Sequence, residues 1–217
     1  MKTRTLVMAL LTLCLLGADK PDAMRWNFED AKVGELPKDW SAAKTGEGEG
    51  SVWKLQADES APAGSKVLTQ TSSAGANAFF NLCVADKSKF GDVDLSVSIK
   101  ALTGKIDQGG GLVWRYQDAK NYYIARLNPL EGDFRLFKVI NGKRTQIGAT
   151  IEADEPAGKW HAIRVVHRGS AIQCYLSGKL RIEAQDDALK EPGKVGLWSK
   201  ADAVSSFDDV TASAPKS

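Results

Sequence analysis

Histidine, net charge, helical periodicity and long apolar runs are all scarce in this sequence, and each scarcity removes a class of function. Only His161 and His167 occur, and Cys14, Cys83 and Cys174 are too far apart for zinc-type spacing, which disfavours a structural zinc site. Lys and Arg total 29 against 27 Asp and Glu, a formal charge of +2. So small a charge draws in no polyanion from a distance, and a dedicated nucleic-acid binder is disfavoured. No long segment carries the 3.6-residue apolar period of a helix. The one sustained apolar run, Leu6 to Gly17, is too short to anchor stably across a bilayer. With 43% hydrophobic and 26% charged residues, the chain is neither disordered nor a multi-span membrane protein.

That apolar run has a basic start, Lys2 and Arg4, and is followed by Ala18 or Ala23 as the small residue of a cleavage site. Residues 1–23 therefore read as a secretory signal peptide, with a secreted or periplasmic destination and no membrane insertion after its removal. Cys14 follows Leu13, where a lipoprotein signal needs a small residue, so lipidation is the weaker reading. Removing three basic and two acidic side chains leaves 26 basic against 25 acidic, a nearly neutral mature protein. Cys83 and Cys174 remain, either as a disulfide or as two separate buried thiols. Cys174 alternates in phase with Ile172 and Leu176, which predicts a buried side chain.

From Trp26 onward, short apolar or alternating runs are punctuated by Gly, Asn, Asp and Pro, the pattern of an all-β chain. Between Asp92 and Lys100, Val93, Leu95, Val97 and Ile99 take one face while Asp94, Ser96 and Ser98 take the other. Strands are also expected at Arg25–Glu29, Val52–Gln56, Lys66–Gln70, Phe79–Val84, Gly110–Gln117, Tyr122–Asn128, Phe134–Ile140, Lys143–Ala149, His161–Arg168, Ala171–Leu176, Lys179–Ala184, Val195–Lys200 and Ser205–Thr211. One open sheet of that width would leave a large apolar face bare, so the strands must form a two-sheet jelly-roll β-sandwich. The expected single domain runs over 24–212. Ser41–Gly50 reads as a surface loop, and the end of the chain, from Ala212 with 213–217 as a disordered tail, is expected to fray.

Two hairpins can be registered by hand. Asn141-Gly142 is a favoured type I′ turn, which opposes Ile140 to Lys143, Leu136 to Ile147 and Phe134 to Ala149. The other face then carries Arg135, Phe137 and Val139 against Arg144 and Gln146. In the preceding hairpin, a four-residue loop over 118–121 puts Leu112, Trp114 and Tyr116 with Tyr123, Ala125 and Leu127 on an apolar face. Arg115 then falls beside Tyr122, Ile124 and Arg126. If the hairpins adjoin, Arg115, Tyr122, Arg126, Arg135 and Phe137 share one sheet face. Val195 and Leu197 claim the core and push Trp198 and Lys200 outward. Guanidinium forks can hold hydroxyl groups while aromatic rings cover the apolar face of a sugar, so this face is a candidate carbohydrate surface. The alternative is cross-strand pairing that merely keeps the sheet soluble.

Several strings resemble a known family when taken together: Asp107-Gln108-Gly109-Gly110-Gly111-Leu112-Val113-Trp114-Arg115-Tyr116, Asn121-Tyr122-Tyr123-Ile124-Ala125-Arg126-Leu127-Asn128, Gly193-Lys194-Val195-Gly196-Leu197-Trp198-Ser199-Lys200-Ala201-Asp202 and Phe207-Asp208-Asp209-Val210. Over roughly residues 25–212 the chain resembles bacterial secreted concanavalin A-like proteins of the 3-keto-disaccharide hydrolase-like, laminin-G-like and family-16 glycoside hydrolase-like kinds. The resemblance implies a lectin/glucanase-type jelly roll whose concave sheet binds glycans and sometimes cleaves them. The paired acids of family 16, Glu-x-Asp-x-x-Glu, have their nearest counterpart in Glu152-Ala153-Asp154-Glu155-Pro156, which lacks the final Glu and runs into a proline, so that mechanism is not supported.

Cleavage of a 3-keto-glycoside needs only a base and an acid, because the ketone acidifies the neighbouring proton; Glu131 and Asp133, with His161, are candidates, and no catalytic residue is assigned. The resemblance also implies a structural calcium, Asp208 or Asp209 joining backbone oxygens around Asn27–Glu29. Three functions follow for an exported domain: glycan binding through Arg115, Tyr122, Arg126, Arg135, Trp198 and Lys200, hydrolysis of a 3-keto-disaccharide in the same cleft, or a laminin-G-like protein contact.

Overall fold

A computed structural model describes residues 23–216, so the expected signal peptide lies outside the described residues except for Ala23. The described residues form fifteen strands and no helix. In one sheet the order is β13 (Lys179–Gln185), β12 (Ala171–Leu176), β11 (His161–Arg168), β6 (Val93–Thr103), β15 (Val204–Ser213), β4 (Lys66–Gln70) and β3 (Trp53–Ala57), with β1 (Met24–Trp26) alongside β15. In the other it is β10 (Lys143–Glu152), β9 (Asp133–Ile140), β8 (Asn121–Asn128), β7 (Gly110–Asp118), β14 (Lys194–Lys200), β5 (Phe80–Ala85) and β2 (Trp40–Thr45). All named pairings are antiparallel, as a two-layer jelly-roll sandwich requires. Among the described residues no helix is long and apolar enough to cross a membrane.

The alternation read from the sequence decides which side of each strand is dry. Along β6, Val93, Leu95, Val97, Ile99 and Ala101 are buried, while Asp94, Ser96, Ser98 and Lys100 are half-buried on the outer side. Val93, Leu95, Val97 and Ile99 pack with Leu112, Trp114, Tyr123, Ala125, Leu127 and Leu197 of the facing sheet in one continuous core. Cys83 and Cys174 enter that core as free, buried thiols. Burial raises both thiol pKa values, so neither is poised as a nucleophile.

The structure departs from the sequence reading at four places. Trp40–Thr45, placed within and just before a loop, is edge strand β2, pairing with β5 from Trp40↔Ala85 to Thr45↔Phe80. Its Ser-Ala-Ala-Lys run carries no apolar alternation, because an edge strand need bury little. The β7–β8 hairpin closes tighter than expected, with Asp118 opposite Asn121, and β7 then accommodates a bulge so that Trp114 opposes Tyr123. The β9–β10 hairpin keeps Ile140↔Lys143 and Leu136↔Ile147, but a bulge near Gly148 sets Phe134 against Ile151 instead of Ala149. Finally, β15 runs through Ser213, and Ala212 packs into the core opposite Leu95, so no fraying begins there.

Candidate functional site: the outer face of the β10–β2 sheet

A second apolar cluster lies on the face of this sheet that points away from the core. It comprises Phe80, Leu82, Val113, Tyr122, Ile124, Phe137, Val139 and Trp198. Cross-strand register assembles it: Tyr122 opposes Val139, Ile124 opposes Phe137 and Val113, and Trp198 opposes Leu82 and Gly111. The sheet curls around this face. The Tyr122 hydroxyl donates to Thr45 Oγ1 at 2.6 Å, and Thr45 in turn donates to Ala119 O, although β7, β14 and β5 lie between β8 and β2. The face is therefore concave and pinched at that end. Burial raises the pKa of the Tyr122 hydroxyl against the hydrogen bond it shares with Thr45.

Next to this apolar half lies a charged one. Arg126 of β8 opposes Arg135 of β9, and Gly111 lies on its other side; a Cβ at Gly111 would come within 1.8 Å of the Ala125 carbonyl, so β7 passes too close for any side chain. The fully buried Arg126 guanidinium donates from Nη2 to Glu131 at 2.9 Å and to Asp133 at 2.5 Å, and its Nη1 is 3.6 Å from Asp107. Arg135 pairs with Asp133 and lies 3.3 Å from Glu131. Lys200 Nζ donates to Asp107 at 3.1 Å, and Asn128 Nδ2 donates to the other Asp107 oxygen at 3.2 Å. Asn128 Oδ1 also accepts the Glu131 backbone N–H at 3.0 Å and fixes the β8–β9 turn.

Burial divides the three carboxylates by role. Asp107 and Asp133 are sealed, whereas the Glu131 side chain remains 36% exposed. Burial raises the Asp107 carboxyl pKa against the opposing charges of Arg126 and Lys200. For Glu131, burial is outweighed by the hydrogen bond and charge of Arg126 and by Arg135 and Lys200, which hold it below the usual carboxylate range and ionised at neutral pH. Arg126 is raised above its ordinary value, its burial penalty outweighed by Glu131, Asp107 and Asp133.

Six buried side-chain nitrogens lack a hydrogen-bond partner among the described residues, and four are on this face: Arg126 Nε, Arg135 Nε, Arg144 Nη1 and Trp198 Nε1. Native proteins pair nearly all such groups, so a cluster of them on one face signals missing acceptors. This arrangement can hold the oxygens of a polar ligand beside an ionised carboxylate.

Five of the six expected sugar contacts share this face, and the sixth does not. Tyr122, Arg126, Arg135, Trp198 and Lys200 are together, but Tyr122 and Trp198 are fully buried, so neither ring is open for stacking. Arg115 leaves the face at the β7 bulge with a left-handed backbone, φ 46°. Its Nε donates to Gly91 O at 3.0 Å, Nη1 to Leu189 O at 2.7 Å and Nη2 to Gly169 O at 3.1 Å, which binds the end of the sandwich together. The same bulge turns Tyr116 onto the concave side, where its ring lies 5.9 Å from that of Tyr122. His161 is on the other sheet, its Nε2 2.9 Å from Pro156 O, and is no partner for Glu131. Arg144 lies where the Asn141-Gly142 turn placed it, on this face opposite Val139, though it was given no role there, and Asp107 and Phe80 were not expected at the site.

The residues around Asp208 do not fit a calcium ion. Asp208 accepts backbone N–H groups from Ala63 and Asp209, both at 2.7 Å, and Asp209 takes Arg25 Nε at 2.7 Å. Glu29 accepts the N–H groups of Ser65 and Lys66. The carbonyls of Glu29 and Ala31 are held at 2.7 and 3.0 Å by the Lys66 ammonium, which already supplies a positive charge where the cation would sit. Among the described residues no group of three or more His, Cys, Asp or Glu side chains could hold a metal.

No curated protein sequence matches the chain. Among solved structures, the carbohydrate binding module CBM66 from Bacillus subtilis superposes with a TM-score of 0.64 at 22% identity, covering 81% of this chain and 96% of that one. A protein of unknown function with a galectin-like fold, also from Bacillus subtilis, gives 0.55 at 11% identity, covering 81% and 89%. The GH43 protein BlXynB from Bacillus licheniformis gives 0.56 at 19% identity, covering 83% of this chain but 38% of that one. Likeness at these identities speaks for the jelly-roll fold. The model of the 3-keto-alpha-glucoside-1,2-lyase-like domain matches residues 29–212, nearly the whole sandwich, and the chain belongs to that family.

Proposed function

We propose that this is an exported carbohydrate-active domain that takes a sugar into the concave face of its β10–β2 sheet, with Arg126, Arg135 and Glu131 as the contacts. The observation carrying this reading is the pair of unpartnered N–H groups on Arg126 and Arg135 beside the partly exposed, ionised Glu131. Hydroxyl and carbonyl oxygens are the acceptors such donors lack. The CBM66 likeness is consistent with glycan binding, and the basic start and apolar run over residues 1–23 support export.

Chemistry at the same site is favoured by the family and by the unequal burial of its acids. Two-carboxylate hydrolysis needs two accessible acids, and Asp107 and Asp133 are sealed in ion pairs. One exposed base suffices for elimination from a 3-keto-glycoside. Glu131 would take the proton from C2, next to the ketone; the electron pair forms the C1–C2 double bond as the C1–O bond breaks, and the departing oxygen takes up a proton. Negative charge developing on the C3 oxygen would be met by the guanidinium donors. Incubation of the purified protein with a 3-keto-disaccharide and its unoxidised parent tests both readings. Binding of either sugar, with turnover of the ketone lost in Glu131→Gln while affinity persists, is the expected result. Turnover unchanged in Glu131→Gln would remove the proposed base, and failure of both sugars to bind would overturn the site.

A further inference from the structure

Arg144 stands apart from the other cations of the concave face. Its guanidinium lies among three rings, with Cζ 4.4 Å from the centre of Phe137, 5.0 Å from Phe80 and 5.7 Å from Trp198. Phe80 and Trp198 are themselves 5.4 Å apart with their planes tilted by 47°, so the rings around Arg144 make an angled aromatic floor. Arg126 has three carboxylate neighbours and Arg135 two, whereas Arg144 Nη1 is buried with no hydrogen-bond partner among the described residues. Burial and the like charge of Arg126 lower its pKa against the opposing charges of Asp107, Glu131 and Tyr122. It sits near the tip of the β9–β10 hairpin on the edge strand of the sheet, between the exposed neighbours Lys143 and Thr145. Contacts with rings alone are a weak hold on a long side chain that solvent would hydrate fully.

A planar group resting on an aromatic floor has the size and position of a sugar ring laid with its apolar face down. We infer that the floor made by Phe80, Phe137 and Trp198 is a stacking subsite for a pyranose ring, and that Arg144 is its displaceable plug. The inference rests on the concave face being the sugar site; it adds a second subsite beside the polar one and explains why Trp198 is covered. Swinging Arg144 outward exchanges ring contacts for hydration and leaves an apolar surface with the Arg126 and Arg135 donors at its edge. A disaccharide could then lay one ring on the floor and turn the other toward Glu131.

The plug and a direct ligand predict opposite signs for Arg144→Ala. Indole N–H resonances in a nitrogen-15 correlation spectrum, with that of Trp198 assigned through Trp198→Phe, report on the floor without any ligand. In Arg144→Ala a soluble gadolinium chelate should broaden the Trp198 signal more than in the wild type, and a 3-keto-disaccharide should bind at least threefold more tightly while shifting that signal. Weaker or unchanged binding in Arg144→Ala would overturn the plug. Shifts confined to Arg135 and Glu131 would overturn the stacking subsite while leaving the polar site standing. No shift anywhere in either protein would overturn both.

Discussion

The sandwich has two buried aromatic regions, and they are built on opposite principles. Between the sheets, Trp114, Tyr123, Phe134 and Phe207 pack in an almost wholly apolar core whose buried histidine, His167, accepts Trp114 Nε1 at 2.9 Å through Nδ1. On the concave face, Trp198, Phe80 and Phe137 are buried about as deeply but lie against guanidinium groups with unpaired donors. Depth of burial therefore does not separate core from site in this protein. The difference is the degree of hydrogen-bond completeness: among the described residues the core leaves two buried nitrogens unpaired, Trp40 Nε1 and His167 Nε2, while the concave face leaves four, three of them on guanidinium groups.

Large truncations should hurt both regions, for different reasons. Phe207→Ala leaves a cavity in the core and should cost about 3–5 kcal/mol in urea unfolding. Arg126→Ala should cost a similar 3–5 kcal/mol, because Asp107 and Asp133, though still paired with Lys200 and Arg135, would lose the fully buried cation they share. A fully stable Arg126→Ala would show that the concave network is not sealed and erase the contrast.

The two regions also part company in acid. Burial, reinforced by the charge of Arg115, lowers the pKa of His167 from 6.5 to about 4. Because the unfolded chain binds this proton more readily than the folded one, stability is complete above about pH 6.5 and is lost as pH falls toward 4, by roughly 3 kcal/mol in all. Thermal unfolding across that window should show a slope that His167→Gln flattens; an equal slope in the variant would assign it to other groups.

Smaller effects are expected where charges sit at the sandwich seam. Lys66→Met should destabilise by about 1–3 kcal/mol through the freed carbonyls of Glu29 and Ala31. Neither calcium nor a chelator should move the wild-type melting temperature, and a clear rise with calcium would reopen a cation site there. Smallest of all, Glu131→Gln should change stability by less than about 1 kcal/mol, since its carboxylate is partly exposed. A large loss of stability would make Glu131 a structural ion and not a functional one.

What the sequence showed, and what it hid, follows from how local each feature is. Strand β6 was legible residue by residue, because alternation between Val93 and Ile99 is a property of one strand. The Asn141-Gly142 turn likewise fixed the first pairs of its hairpin and put Arg144 on the face of Phe137. Bulges were not legible: nothing in Trp-Arg-Tyr says that Arg115 adopts a left-handed backbone and hands its place on the face to Tyr116. Parity was enough to turn Trp198 away from the core, but its burial depends on the sheet curling until β2 meets β8, a contact between Thr45 and Tyr122 seventy-seven residues apart. Asp107 was missed for the same reason, since its partners Arg126 and Lys200 come from two other strands.

The central claim is that the guanidinium donors of the concave face are unpaired because a sugar supplies their acceptors. Arginine Nε–H groups give their own nitrogen-15 resonances, and Arg115, whose Nε already donates to Gly91 O, is a built-in control. On titration with a 3-keto-disaccharide, the Nε–H signals of Arg126 and Arg135 should shift together while that of Arg115 stays in place. Unmoved Arg126 and Arg135 signals in the presence of bound sugar would contradict the account.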